Sequence, residues 1–419
     1  MFPRNLKNLL LEAADDTPVI MVNGARQTGK STLVEGLFSG SSAPQLVSLD
    51  SLVTLDSALS DPQKFIESLP DRVIIDEIQR APELMLPIKY SVDQNRLPGR
   101  FFLTGSANVL ALPKVADTLA GRIEIHTLWP LSQGEIRGVK ESFVDTICGA
   151  DKLNAGKQLK LDELIDLMNL GGYPTVLSRT SKARRKGWFT SYINTLIERD
   201  VRDLRNIGQL TVMPKLLQLL ASRAGGLLNY SDLSRSLEIN LSTLKNYLHL
   251  LQLLFILVPV PPWFGNIGKR LVKAPKMYLN DSGLLCHLLQ CDPKALAIDG
   301  SLLGKVFENF VIMELMKQIS WSETQPYLYH FRTEAGHEVD IVLETGDGRI
   351  VGIECKSAIR IGSDSFKGLK ALKDLTGKKF HRGIVLYAGS EILTFEKDFQ
   401  AVPVSALWET SSGAAPALS

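Results

Sequence analysis

Cysteine is scarce in this chain, and its few examples do not cluster: Cys148, Cys286, Cys291 and Cys355 form no CxxC pair. A disulfide scaffold and a cysteine zinc site are therefore excluded, and the usage suits a reducing compartment. The six histidines show no metal-ligand spacing, so zinc and haem centres find no support. An excess of one charge sign is also missing. The 47 basic and 45 acidic residues leave a net charge of +2, so only local clusters can speak for or against nucleic acid. Long hydrophobic runs are absent. The longest apolar stretch, residues 250–260, contains Gln252 and runs into Pro259, Pro261 and Pro262, whereas a bilayer span needs about 20 apolar residues. It reads as the end of a buried helix, and no membrane partner is expected. The N-terminal segment MFPRNLKNLL lacks the apolar core and cleavage site of a signal peptide, which gives a cytoplasmic expectation. No serine stands in a nucleophile-elbow pattern, and the tail SSGAAPALS reads as disordered.

What is present is an ordinary globular composition, 45% hydrophobic and 22% charged over 419 residues. That length accommodates roughly two to four domains of about 100–200 residues. Four segments separate by pattern. In residues 1–137 the apolar runs VIMVNG, QLVSLD, RVIIDE, RFFLTGS and RIEIHTL alternate with helical stretches, which predicts a parallel sheet covered on both faces. Residues 138–204 read as a helical lid or linker, and 205–296 as helices followed by a basic, proline-containing ribbon. Residues 297–419 read as a helix leading into alternating strands. The expected fold class is a multidomain α/β protein.

Gly24-Ala25-Arg26-Gln27-Thr28-Gly29-Lys30-Ser31 places two glycines, a lysine and a hydroxyl in the phosphate-loop pattern, between a strand and a helix. Such glycines let backbone N–H groups converge on phosphate oxygens at a helix N-terminus. The expected ligand is ATP or ADP, cradled by residues 24–31 and Thr32. Lys30 reaches the β- and γ-phosphates, and Ser31 Oγ ligates Mg²⁺. The strand Val73-Ile74-Ile75 ends in Asp76 and Glu77, so Asp76 is expected at Mg²⁺ and Glu77 at the attacking water. Ser106 or Thr104, at the tip of FFLTGS, is a candidate sensor of the γ-phosphate or a helix cap. Arg122 is a candidate arginine finger, acting in cis or across a subunit interface, or a surface arginine.

The ordered blocks NGARQTGKSTL, LVSLDS, VIIDEIQRAPEL, FFLTGSANVL and LAGRIEIHTLWPLSQGE resemble the AAA+-superfamily ATPases of bacteria and archaea that carry a C-terminal domain of unknown function. The resemblance continues through GGYP, YINTLIERDVRDL, KRLVKAPKMYLND, LGKVFENFVIMEL, FRTEAGHEVDIVLE and IECKS, and so spans nearly the whole chain. It implies an ATPase core, a winged-helix-like middle and a restriction-endonuclease-like C-terminal module.

In the middle segment, residues 230–237 and 240–251 read as helix, turn, helix. Ser231 is the expected cap of the first helix and Asn240 or Ser242 that of the second. Thr243, Lys245, Asn246 and His249 would be exposed over buried Leu244, Leu248 and Leu251. Lys269, Arg270, Lys273 and Lys276 form a basic run that would act as a wing on DNA phosphates, or else belong to a protein-interaction module. Lys182, Arg184, Arg185 and Lys186 read as a solvated helix face.

In the C-terminal module, Asp340 and the pair Glu354 and Lys356 sit on successive strands, with Glu308 on the preceding helix. Period-two alternation puts Glu354 and Lys356 on one face. Read as a nuclease, Asp340 and Glu354 hold Mg²⁺ and Lys356 orients the water. Read blandly, they are the charged edge of a half-exposed sheet. Two functions follow from these readings. One is a Mg²⁺-dependent ATPase whose nucleotide state controls a DNA-interacting, nucleolytic C-terminal half. The other is an ATP-dependent regulator or adaptor, its nuclease-like domain inactive, bound to protein or promoter DNA. A homo-oligomer is compatible with both.

Overall fold

The computed structural model describes residues 2–38, 43–108, 119–154, 156, 158–201, 210–266, 268, 270 and 273–409. Lys269 and the tail SSGAAPALS lie outside the described residues. The chain divides into two compact units. One comprises residues 4–130 with 251–256, and the other residues 1–3, 131–250 and 257–419.

The first unit is built on five strands: β1 (Val19–Asn23), β2 (Gln45–Ser48), β3 (Val73–Asp76), β4 (Phe101–Gly105) and β5 (Ile123–Thr127). They run parallel in the order β2-β3-β4-β1-β5. Every residue of β1 and β4 is buried, the pattern of strands covered on both faces. Met21, Ile75, Leu103 and Ile88 share one apolar core. The register pairs Asn23 with Gly105 and Ile75 with Leu103, so β1, β3 and β4 finish together and their polar tips emerge at one edge. Open parallel sheets bind ligands at that carboxyl edge.

The second unit opens with helices Phe143–Cys148, Leu161–Leu170, Pro174–Leu177 and Lys182–Thr195. Helices Tyr230–Leu237 and Leu241–Leu253 follow, then an antiparallel pair, β6 (Leu257–Val260) and β7 (Lys276–Leu279). Leu244, Leu248 and Leu251 are buried, while Lys245, Asn246 and His249 are exposed. Asn240 Oδ1 accepts the Thr243 N–H at 2.8 Å, as a cap should. The first helix is capped two residues earlier than expected. Asn229, not Ser231, accepts the Asp232 N–H at 3.0 Å, because Tyr230 and Ser231 are already helical.

Six further strands form a mixed sheet in the order β12-β13-β11-β10-β9-β8: β8 (Tyr327–Arg332), β9 (Glu338–Glu344), β10 (Ile350–Lys356), β11 (Phe380–Tyr387), β12 (Leu393–Glu396) and β13 (Phe399–Pro403). The long helix Gly300–Ile319 and the helix Lys367–Thr376 pack on this sheet. Val339, Ile341 and Ile353 are wholly buried, although β10 is buried continuously from Ile350 to Glu354 and does not alternate.

The basic ribbon is corrected by this packing. Lys276 lies in β7, only 3% exposed, with its ammonium among carboxylates. The Arg270 guanidinium pairs with Glu344 and lies over the Trp263 and Tyr329 rings, at 5.4 and 4.7 Å from their centroids. Of the expected wing, Lys273 alone is described as exposed. Among the described residues no helix is long and apolar enough to cross a membrane.

Candidate functional site

The loop that leaves β1 turns on two glycines for different reasons. Gly24 has φ +142°, and a Cβ there would lie 2.2 Å from the Leu128 carbonyl oxygen. Gly29 has free space around it but φ +93°, a left-handed conformation that side chains disfavour. It leads into the helix Lys30–Glu35. Ala25 and Thr28 are fully buried, and the Thr28 hydroxyl donates to the Ala25 carbonyl at 3.0 Å. The Lys30 ammonium, 6% exposed, donates to the same carbonyl at 2.9 Å. Arg26 is half-buried, and Gln27 and Thr32 are exposed.

The two halves anticipated for this site meet. Ser31 Oγ donates to Asp76 Oδ1 at 2.6 Å, and the Thr104 hydroxyl donates to that same carboxylate oxygen. Glu77 is itself left-handed (φ +60°), which turns the chain sharply out of β3. For a non-glycine residue this conformation costs roughly 1–3 kcal/mol, and such strain clusters at functional sites. Ser106 Oγ lies 3.3 Å from Glu77 Oε2. The Gln79 amide donates to Ser106 Oγ at 2.8 Å and to the Glu77 carboxylate.

Thr104 touches both acids, donating to the Asp76 carboxylate and accepting the Glu77 N–H at 3.4 Å, while Ser106 meets the Glu77 carboxylate. Gln79 was missed by sequence reasoning. Its signal was its place two residues beyond the acid pair, where the tight turn folds it back on Glu77.

Arg122 is not brought to this edge within the chain. Its carbonyl accepts the Val19 N–H at the opposite end of β1, about 16 Å away at ordinary strand rise, and its guanidinium pairs with Asp93 at 2.6 Å. That guanidinium holds the Asp93 carboxyl below its usual range. The reading of Arg122 as a finger acting in cis is therefore set aside.

A second polar cluster lies in the other unit, and its centre is a residue assigned elsewhere by the sequence. Lys276 Nζ lies 2.7 Å from Glu338 Oε1, 3.1 Å from Glu308 Oε1 and 3.4 Å from Asp340 Oδ1. Tyr278 OH donates to Glu308 Oε1 at 2.6 Å. The Cys355 N–H donates to Asp340 Oδ2 at 3.0 Å, and Lys356 Nζ lies 3.4 Å from Glu354 Oε2. Glu308, Asp340, Glu354 and Lys356 are therefore neighbours, as expected, but the ammonium of Lys276 stands among the first two.

Burial, then the Asp340 charge, raises the Glu308 carboxyl to about 7 and Glu354 to about 9. Burial opposes the charge on Lys276, yet Glu308, Asp340 and Glu338 outweigh it and hold the ammonium above lysine's usual range. Among the described residues, no three His, Cys, Asp or Glu side chains are placed to hold a metal ion. Asp340 and Glu354 are the two carboxylates that would hold the expected Mg²⁺, with Lys276 Nζ 3.4 Å from Asp340 Oδ1.

Residues 16–137 match the family model described as an AAA domain. Residues 161–295 and 303–407 match two models described as domains of unknown function, DUF8612 and DUF4143. Among solved structures, a DNA replication initiation factor is 12% identical, covering 57% of this chain and 69% of that one, with a TM-score of 0.26. The RuvB of Thermotoga maritima is 19% identical, covering 61% of this chain and 89% of that one, with a TM-score of 0.29. Uncharacterized protein Rv2008c of Mycobacterium tuberculosis and uncharacterized protein Mb2031c of Mycobacterium bovis are each 30% identical over 404 residues, covering 96% of this chain and 84% of theirs. The chain belongs to the family of these two mycobacterial proteins, and the sheet that carries its phosphate loop is an AAA-type ATPase domain.

Proposed function

We propose that this protein is a Mg²⁺-dependent ATP hydrolase whose nucleotide state governs the rest of the chain. The observation that carries this reading is the 2.6 Å contact between Ser31 and Asp76, with Glu77 next in the chain and oriented by Gln79 and Ser106. Ser31 and Asp76 are the residues that would hold Mg²⁺, which supplies charge neutralisation at the transferred phosphate. Lys30 would exchange the Ala25 carbonyl for β- and γ-phosphate oxygens. The backbone from Gly24 to Ser31, followed by Thr32, would line the phosphates. The Glu77 carboxylate would accept a hydrogen bond from the attacking water, and Ser106 and Gln79 would hold that carboxylate in place. Arg122, remote from its own loop, would meet a nucleotide across the interface of a homo-oligomer.

For the C-terminal half, the burial of Lys276 among Glu308, Glu338 and Asp340 favours the adaptor reading over cleavage. The exposed Lys245, Asn246 and His249 remain the face for a protein or promoter DNA.

The test is ATP turnover with and without Mg²⁺ in the wild type and in Lys30→Ala. Turnover in the wild type should require Mg²⁺, and nucleotide affinity in Lys30→Ala should fall roughly 10- to 100-fold, the loss of charge-assisted hydrogen bonds. Turnover untouched by Lys30→Ala would refute the assignment.

A further inference from the structure

Four basic residues at the start of the helix Lys182–Thr195 are used by nothing described so far. Three of them, Lys182, Arg185 and Lys186, line a cavity of ≈ 440 Å³ together with Phe189. That spacing, i, i+3, i+4 and i+7, is one face of the helix. The cavity's other walls come from the helices Leu161–Leu170 and Ser282–Leu288 and the turn that follows the latter. Its size falls in the range of small-molecule pockets, about 300–1,000 Å³.

Lys182, Arg184 and Lys186 are exposed and Arg185 is half-buried. A helix N-terminus carries partial positive charge and prefers acids. This one has Lys182 and Arg184 in its first turn, no acid there and no side-chain cap. Among the described residues, no carboxylate forms an ion pair with Lys182, Arg184, Arg185 or Lys186. Arg185 uses Nε on the Arg179 carbonyl at 2.6 Å, which fixes the guanidinium while its terminal nitrogens make no hydrogen bond among the described contacts. Two acids, Asp166 and Asp292, also line the cavity, so the three cations exceed them by one. Asp292 is engaged, since it accepts the Ala295 N–H at 2.9 Å.

On the far wall the His287 imidazole stacks on Phe189, with ring centroids 5.5 Å apart and planes at 25°. Burial, then the Lys186 charge, holds that imidazole below its usual range, so a further positive charge is disfavoured here.

We propose that this cavity is a binding site for a small molecule bearing a phosphate or diphosphate group. The anion sits against Lys182, Arg185 and Lys186, and the organic body lies along Phe189 and His287. The anion would meet the cations and the helix terminus together. The site stands apart from the phosphate loop and does not depend on the ATPase reading.

The test is isothermal titration of inorganic pyrophosphate into the full chain carrying Lys30→Ala, which disables the phosphate loop. Saturable binding to one site is expected. Adding Lys182→Glu and Lys186→Glu should weaken it at least about tenfold, since each ligand contact is charge-assisted. Lys182→Glu alone should leave the thermal midpoint unchanged or raised, because an acid suits the first turn of a helix. Arg185→Gln, which keeps the side-chain length and removes the charge, should also weaken binding. Absence of saturable binding at millimolar pyrophosphate, or equal affinity in the charge-altered variants, would overturn the proposal.

Discussion

The two polar clusters of this protein are assembled from the same kinds of residue, yet they differ in what their lysines do. At the phosphate loop, Lys30 donates to a neutral carbonyl, while Asp76 is met by the hydroxyls of Ser31 and Thr104. In the carboxylate cluster, Lys276 is matched by three acids within 3.4 Å. A carbonyl or hydroxyl partner can be exchanged for phosphate or magnesium at modest cost. An ammonium enclosed by acids cannot leave without stranding several. On the proposed function the first arrangement receives a ligand, whereas the second is internally paired.

The largest effect that would sharpen this contrast is on catalysis. Glu77→Gln should retain ATP binding and lower turnover roughly 10²- to 10⁴-fold, the usual contribution of a positioned general base. Single-turnover kinetics beside a binding titration would show it, and unaltered turnover would erase the catalytic half of the comparison. Next comes stability. Lys276→Met leaves Glu308, Glu338 and Asp340 without their shared cation and should cost about 3–5 kcal/mol in denaturant unfolding at neutral pH. Lys30→Met, which removes a donor to the Ala25 carbonyl, should cost distinctly less. Equal losses at the two positions would break the comparison.

The smallest effect concerns pH. His330, 2% exposed, is driven down to about 4 by burial and then by the charge of Lys276. Its folded value lies below the ordinary 6.5, so the unfolded chain takes up the proton first as the pH falls. Stability is therefore complete above pH 6.5 and declines toward pH 4, by up to roughly 3 kcal/mol. His330→Phe should flatten that part of the stability profile. A profile identical to the wild type would remove His330 from the account.

Much of the ATPase unit was legible beforehand. Its five strands are short runs of apolar residues bounded by polar tips, and a strand buried on both faces leaves that mark whatever its neighbours are. Gly24, Gly29, Lys30 and Ser31 are contiguous, so their geometry is nearly local. The meeting of Ser31 with Asp76 was anticipated because strand, loop and acid pair follow a known order.

The failures share a different character. Lys276 looked like part of a basic ribbon because Lys269, Arg270 and Lys273 precede it closely in sequence, and nothing local reveals that β7 faces Glu308 and Asp340. Arg122 was read from its proximity to a strand, although which end of that strand it occupies decides its reach. By contrast, the cationic helix face is exposed at Lys182, Arg184 and Lys186 as expected, and what sequence could not show is that it borders a cavity walled by the helices Leu161–Leu170 and Ser282–Leu288.

Amino-acid order alone determined the parallel sheet, the phosphate loop and the acid pair, since backbone conformation and strand burial depend on near neighbours. Tertiary structure decided which charges neutralise one another, because Coulombic pairing depends on distance and burial between residues as far apart as Lys276 and Asp340. It likewise decided where Arg122 points and which cations border a cavity.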